Sequence, residues 1–310
     1  MQSDQPFVSI LMNCYNGEKY LREALDSVIA QTYSNWELIF WDNCSTDHSA
    51  EIFNSYDDQR FKYILAPDHT DLGGARARAW RHLSGDLIAV LDADDVWMPT
   101  KLDKQVPLFQ DPDVGIVISD TLFFSEKKEK VLYNGRFPAS GWVFGLLLKK
   151  YFVSLETVVL RKSAVMVLDQ AFDPRFSHIA DFDLIVRTSR IAKLAIFPEV
   201  LAKWRVHKGS GTWQEHEKFL AEEENWIVKM EKNQALTEKE LEALAIFKRR
   251  HTTSRCIEML QCGDREKAAR ILKGQSWRDK RVQILRALCW IPGSGRLLRT
   301  VVSARRRAWF

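Results

Sequence analysis

The run Leu87-Ile88-Ala89-Val90-Leu91-Asp92-Ala93-Asp94-Asp95 sets an apolar segment of strand length directly against three carboxylates. Alternate side chains of a strand share a face, so Asp92 and Asp94 lie side by side with small Ala93 between them on the other face. Two adjacent anions at partly buried positions repel, and desolvation adds to the cost. A hard divalent cation taking oxygen ligands relieves both. A pair that gives the ion only one or two oxygens also leaves positions for phosphate. The same residues equally fit a solvated acidic turn before a helix begun at Pro99, with Asp95 as a cap.

Other residues could serve such a site. Tyr15 offers an aromatic face, Asp42 a carboxylate at a strand end, and Arg78 a guanidinium near a helix start. With Asp92 and Asp94 they suit a nucleoside diphosphate: stacking for a base, an acceptor for its imide, a cation for phosphate. Taken singly, each also fits a structural role as a half-buried ring, a turn residue or a solvated helix charge. Asp181 and Asp183 fall in the first turn of a helix, where the positive dipole end keeps a carboxylate ionised, as a general base near neutral pH requires. Simple preference for a helix N-terminus is the alternative. His207, beside Arg205 and Lys208, is a ligand type that in a loop also serves as a solvated side chain.

These residues need elements to hold them. Residues 7–13 form a buried strand, Tyr15-Asn16-Gly17 a turn, and Glu18 to Ala30 carries apolar residues at helical spacing. Trp36 to Trp41 and Phe61 to Leu65 form the next strands, and Gly73 opens a helix leading to the strand that ends at Asp92. Ser45 or Thr46 is placed to cap the helix after the second strand. Four strands alternating with helices predict a doubly wound, largely parallel α/β sheet with its ligands at the strand ends. Ala195 to Leu201 is a strand whose Pro198 predicts an edge position. From Trp213 onward the pattern is helical. The expected organisation is therefore 1–212 as an α/β domain suited to a nucleoside diphosphate, which the resemblance below makes a nucleotide-sugar-binding and catalytic domain, and 213–310 as a helical extension.

The 310 residues are 46% hydrophobic and 28% charged, enough to bury a core. The net charge of +4 hides an asymmetry: residues 276–310 hold nine Lys or Arg and one Asp, which leaves residues 1–275 at −4. Basic amphipathic helices with Trp290 and Trp309 predict contact with an anionic membrane surface, or a cationic face over a protein contact. The acidic main body argues against nucleic acid. No apolar run reaches 18 residues and the first residues lack signal-peptide character, so the expected location is cytoplasmic, peripheral on the cytoplasmic face of the inner membrane. Five scattered cysteines suit a reducing compartment.

Several of these stretches together resemble the family 2 inverting glycosyltransferases of the GT-A fold, of the bacterial cell-surface polysaccharide type. They are Val8-Ser9-Ile10 through Leu21, Ser27 to Tyr33, Trp41-Asp42 with Ser45-Thr46-Asp47, Gly73 with Ala77-Arg78, Gly85 to Pro99, Ala180-Asp181, and Arg205-Val206-His207. The resemblance implies that Tyr15 and Asp42 hold the base of a nucleoside diphosphate sugar, expected to be UDP-linked, and that Arg78 lies near its phosphates. It implies that Asp92 and Asp94 hold the ribose and a Mg²⁺ or Mn²⁺ ion. Asp181 would then be the catalytic base toward a glycan or lipid-linked acceptor, and His207 a further metal or diphosphate contact. The sequence departs from the family at Cys44 (usually Gly), Ala79 (usually Asn) and Ala180 (usually Glu). The Trp motif of processive synthases is absent, which favours transfer of one sugar. The rival readings are a haloacid-dehalogenase-type phosphatase, from Asp92-Ala-Asp94, and a non-catalytic nucleotide-sugar-binding protein.

Overall fold

The computed structural model describes residues 5–207, 209, 215–232, 235–275 and 279–307, the last seven as backbone. The chain divides into two compact units, 1–147 with 151–206, and 148–150 with 207–310.

The first unit opens with β1 (Val8–Cys14), α1 (Glu18–Ile29), β2 (Trp36–Asp42), α2 (Ser49–Asn54), β3 (Phe61–Leu65), α3 (Leu72–Ala79) and β4 (Leu87–Val90). It continues through β5 (Val96–Trp97), α4 (Lys101–Gln105), β6 (Val114–Phe124), β7 (Glu129–Val131), α5 (Phe144–Lys149), β8 (Val159–Arg161), α6 (Lys162–Met166), α7 (Ala180–Thr188) and β9 (Lys193–Arg205). All nine strands join one sheet in the order β3-β2-β1-β4-β8-β6-β9-β5, with β7 paired to β6. Pairing is parallel from β3 to β4, as expected, and mixed beyond, where β8 runs antiparallel to both β4 and β6.

The central strands are apolar on both faces because both faces are covered. Val8, Ile10, Met12 and Cys14 pack with Leu21, Ala24, Leu25 and Val28 of α1, whose spacing forms a single apolar stripe. Leu11, Asn13, Ile39 and Trp41 point the other way, toward the segment of α3, where the Trp41 ring meets His82 at 5.8 Å between centroids. β9 lies between β6 and β5, but β5 pairs with it only at Ala202 and Lys203, so Pro198 sits on a stretch with a strand on one side alone, as an edge position requires. The register to β6 steps from Ser119↔Phe197 to Asp120↔Val200, a bulge around the residue that cannot donate a ladder hydrogen bond.

The second unit is helical: α8 (His216–Glu231), α9 (Glu238–Cys262), α10 (Arg265–Leu272), α11 (Lys280–Trp290) and α12 (Ser294–Arg307). Thr237 and Glu240 form a capping box at the start of α9, and Gly263 ends it in the left-handed conformation (φ 89). No helix among the described residues is long and apolar enough to cross a membrane.

One buried charge in the sheet has a measurable consequence. Glu37, 2% exposed as the second residue of β2, accepts from the Ser9 hydroxyl, from the Ser84 N–H and hydroxyl, and from Lys62. Burial pushes its pKa up, but these donors overcome that and hold it at about 2. A carboxylate depressed on folding stabilises above its unfolded pKa and loses that contribution as pH falls through the folded value. With solvent screening at the half-exposed Lys62, this amounts to about 2 kcal/mol. Urea unfolding in steps from pH 5 to pH 2 is expected to record that loss, and Glu37→Gln to flatten it.

Candidate active site

The carboxyl ends of β1, β2 and β4 share one edge of the sheet, and most of the singled-out residues fall there. Asp92 follows β4 directly. It accepts from the guanidinium of Arg76 at 2.7 Å. Arg76 is 3% exposed, and its Nε is buried with no protein partner. Arg78 is elsewhere: half-exposed, it pairs with Asp68 at 2.9 Å. Two residues apart on a helix is a rotation of about 200°, so α3 can aim only one of these arginines at the acids. In "Gly-Gly-Ala-Arg-Ala-Arg-Ala" both arginines look equivalent, and burial alone distinguishes them.

Asp95 does not cap the following helix, which begins at Lys101 after Thr100. It is 2% exposed and accepts from the Arg205 N–H at 2.8 Å, while Arg205 Nε donates to the Asp94 carbonyl at 2.9 Å. This ties the strand-end loop to the last residue of β9. Burial, followed by the charges of Asp94, Glu156 and Asp92, pushes the Asp95 carboxyl well above the usual range. Glu156, which sequence reasoning missed, is also buried. It accepts from Thr121 and Ser154, and burial raises its pKa while those two donors oppose the rise.

Asp181 sits in the first turn of α7, and the Tyr151 hydroxyl donates to its Oδ2 at 3.4 Å. Burial raises its pKa above that of an ordinary Asp, the Arg76 charge lowers it and the Asp92 charge raises it. Arg76 and Asp92 are thus near enough for their charges to act on the Asp181 carboxyl. Asp183 is fully buried and ion-paired with Arg187 at 2.6 Å, which commits it to the helix. Between the two candidates, Asp181 alone is partly exposed.

At the other side of the edge, Tyr15 is 52% exposed, with its ring 4.3 Å from that of His69. Asp42 lies beneath this surface. It is 1% exposed, and its oxygens accept from the Ser45 N–H at 2.7 Å and the Tyr63 hydroxyl at 2.6 Å. Its visible work is to hold the turn after β2. That turn is laced to the one after β1: the Ser45 hydroxyl accepts from the Asn16 N–H, Asn16 Oδ1 from the Thr46 N–H, Asp47 from the Glu18 N–H, and the Ser49 hydroxyl from the Gly17 N–H. Ser49 starts α2, so neither Ser45 nor Thr46 caps it. Cys44 takes a left-handed conformation (φ 65), which explains why glycine is the usual residue there. Asn13, near the end of β1, keeps both ends of its side-chain amide buried without a protein partner, as does the indole N–H of its register neighbour Trp41.

Gly73 permits a close approach. A Cβ there would lie 2.0 Å from the Phe176 carbonyl, and its N–H donates to the Ser177 hydroxyl at 3.2 Å. His207 falls in the second unit, whose main segment it opens; its Nδ1 accepts from the Gly209 N–H at 3.2 Å. A cavity of about 1550 Å³ is at the opposite ends of β1 and β4, beside Phe7, Gly85 and Arg161. It is remote from the acids.

The donor set suits a hard divalent ion: carboxylate oxygens of Asp92 and Asp94 in an acidic neighbourhood that already penalises Asp95. Among the described residues no three His, Cys, Asp or Glu groups close a metal site. An ion here would take its remaining ligands from substrate or water.

Residues 9–164 match the sequence pattern of Glycosyl transferase family 2. The chain is 30% identical over 186 residues to UDP-Glc:alpha-D-GlcNAc-diphosphoundecaprenol beta-1,3-glucosyltransferase WfgD of Escherichia coli, covering 58% of this chain and 69% of that protein. Its fold is similar to that of S. aureus TarS 1-349 in complex with UDP-GlcNAc (TM-score 0.69, 16% identity, 98% of this chain and 93% of that one). It is also similar to the mannosyltransferase PcManGT of Pyrobaculum calidifontis in complex with GDP-Man and Mn²⁺ (TM-score 0.62, 17% identity, 99% and 88%).

The strained turn makes a testable statement. Cys44→Gly removes the left-handed penalty but adds unfolded-chain entropy, so a net gain of up to about 1 kcal/mol is expected in thermal or urea unfolding.

Proposed function

The chain belongs to glycosyltransferase family 2, and from that premise we propose that it moves one sugar from a UDP-linked donor to a hydroxyl of a lipid-linked glycan, inverting the anomeric centre. Membership sets aside the phosphatase and the non-catalytic binder. The observation that carries the reading is the grouping of Arg76, Asp92 and Asp181 at one sheet edge. The UDP donor and the lipid diphosphate acceptor draw support from the printed activity of WfgD and the ligand held by TarS.

On this reading the base of the donor stacks on the exposed ring of Tyr15, over a turn that Asp42 holds in shape. Asp94 and the second oxygen of Asp92 would hold a divalent ion, Mg²⁺ or Mn²⁺, whose chemistry is to neutralise charge on the departing diphosphate. Arg76 fixes Asp92 and adds a permanent positive charge beneath it. Asp181 takes the proton of the acceptor hydroxyl as that oxygen bonds to the anomeric carbon, and the carbon–phosphate-oxygen bond breaks to release UDP. A single displacement inverts the centre. Burial makes Asp181 a stronger base than an exposed aspartate, and Tyr151 orients it.

UDP release from a panel of sugar donors, with acceptor and with or without Mn²⁺, tests the whole reading. Turnover should depend on the ion and fall to background on chelation; Asp181→Asn should lose at least about 10³-fold while retaining donor affinity. Asp94→Ala should weaken ion-dependent donor binding. Because Asp181 must be ionised to act, activity should fail as pH drops through its raised pKa, placing the acid limb above the ordinary aspartate range. Arg76→Gln, which removes the cation favouring the ionised form, should move that limb further up. A limb unmoved by this change would exclude Asp181 as the titrating base.

A further inference from the structure

Helix α11 is apolar on two faces. Val282, Leu285 and Cys289 point inward and complete a core with Cys256, Leu260, Ala268 and Leu272. Ile284 and Ala287 fall three residues apart on the opposite side, both exposed (Ile284 61%), and Ile291, just past the helix end in extended backbone, is 51% exposed. Trp290, at the end of the same helix, is 84% exposed, and Leu297 on α12 is 62% exposed. A helix anchored by one apolar face gains nothing in water from showing a second. The charges around it are of one sign: Lys280 and Arg281 at the start of α11 and Arg296 and Arg299 on α12 are exposed. Across residues 276–310 nine Lys or Arg stand against Asp279. Arg286 is the exception in role, since its guanidinium donates to the Leu272 and Gln275 carbonyls.

We propose that the outward face of α11, with Trp290, Ile291 and Leu297, is a docking surface for an anionic phospholipid bilayer. Branched aliphatic side chains and an indole enter the headgroup boundary while the flanking cations meet lipid phosphates. Charge complementarity selects this partner over a neutral membrane. The exposed isoleucines and leucine select it over nucleic acid, whose backbone rewards the cations alone. The helices lie on the bilayer, since none among the described residues can span it. The proposal rests on the lipid-linked acceptor reading only for where the enzyme works.

The full chain is sedimented with vesicles of phosphatidylcholine alone or mixed equally with phosphatidylglycerol, at low salt and at 0.5 M NaCl. Binding is expected to the anionic vesicles at low salt, weaker in high salt and absent on phosphatidylcholine. Ile284→Ser with Trp290→Ser alters exposed positions only and should reduce partitioning at least tenfold. Arg296→Glu and Arg299→Glu should each reduce it by at least about fivefold. Equal sedimentation of the serine variant, or none of the parent with anionic vesicles, overturns the proposal; so does retention on a DNA duplex that survives the serine changes and outcompetes vesicles. UDP release measured without vesicles reads the catalytic unit separately. A parent chain that turns over donor but does not dock counts against this surface, and one that docks without turnover counts against the proposed reaction.

Discussion

Concentrating carboxylates at the end of a buried strand is electrostatically costly, and much of the first unit answers that cost. Asp92, Asp94 and Asp95 leave β4 together, with Glu156 buried nearby. Arg76 neutralises one acid, the Arg205 backbone N–H supports another, and the Thr121 and Ser154 hydroxyls hold the glutamate. Below them Lys101 is fully buried over the Trp97 ring, donating to Gln105, and burial pulls its pKa down to about 7. The negative field left at the rim is what the proposed divalent ion would answer.

What could be read before folding follows from the range of each signal. The parallel half of the sheet was legible because its strands are continuous apolar runs and α1 carries a clean stripe, both local properties. The acid run was legible because it follows an apolar run of strand length, but the one-face argument does not hold: β4 stops at Val90, and Asp92 to Asp95 form a turn closed by the Asp95 N–H on the Asp92 carbonyl. Arg76 was not: a four-residue alternation of Ala and Arg carries no mark of which arginine turns inward, and the partner that decides it lies 16 residues away. Glu156 and Tyr151 escaped for the same reason, since their partners come from β6 and α7. Pro198 marked a stretch of β9 with one neighbouring strand, but gave no sign of the bulge beside it or of β5 pairing further along at Ala202 and Lys203.

Tyr15 and Asp42, close together at the sheet edge, illustrate a division between displaying chemistry and supporting it. The ring is exposed and the carboxylate enclosed, with both oxygens held by protein donors. Residue type and strand-end position suggested similar roles for the two. Burial separates them, and assigns the aspartate to the backbone of the turn.

The contact at Gly73 links two jobs that operate on different substrates. The helix bearing Arg76 rests its backbone on the Phe176 carbonyl, four residues before α7 begins with the segment bearing Asp181. The approach admits no Cβ, and the Gly73 N–H adds a hydrogen bond to the Ser177 hydroxyl, so the segment bearing Arg76 is seated against the segment bearing Asp181. On the proposed reaction these are the leaving-group and proton-accepting sides, and their spacing is set at a position where only glycine fits, apart from the loops that would choose sugar and acceptor.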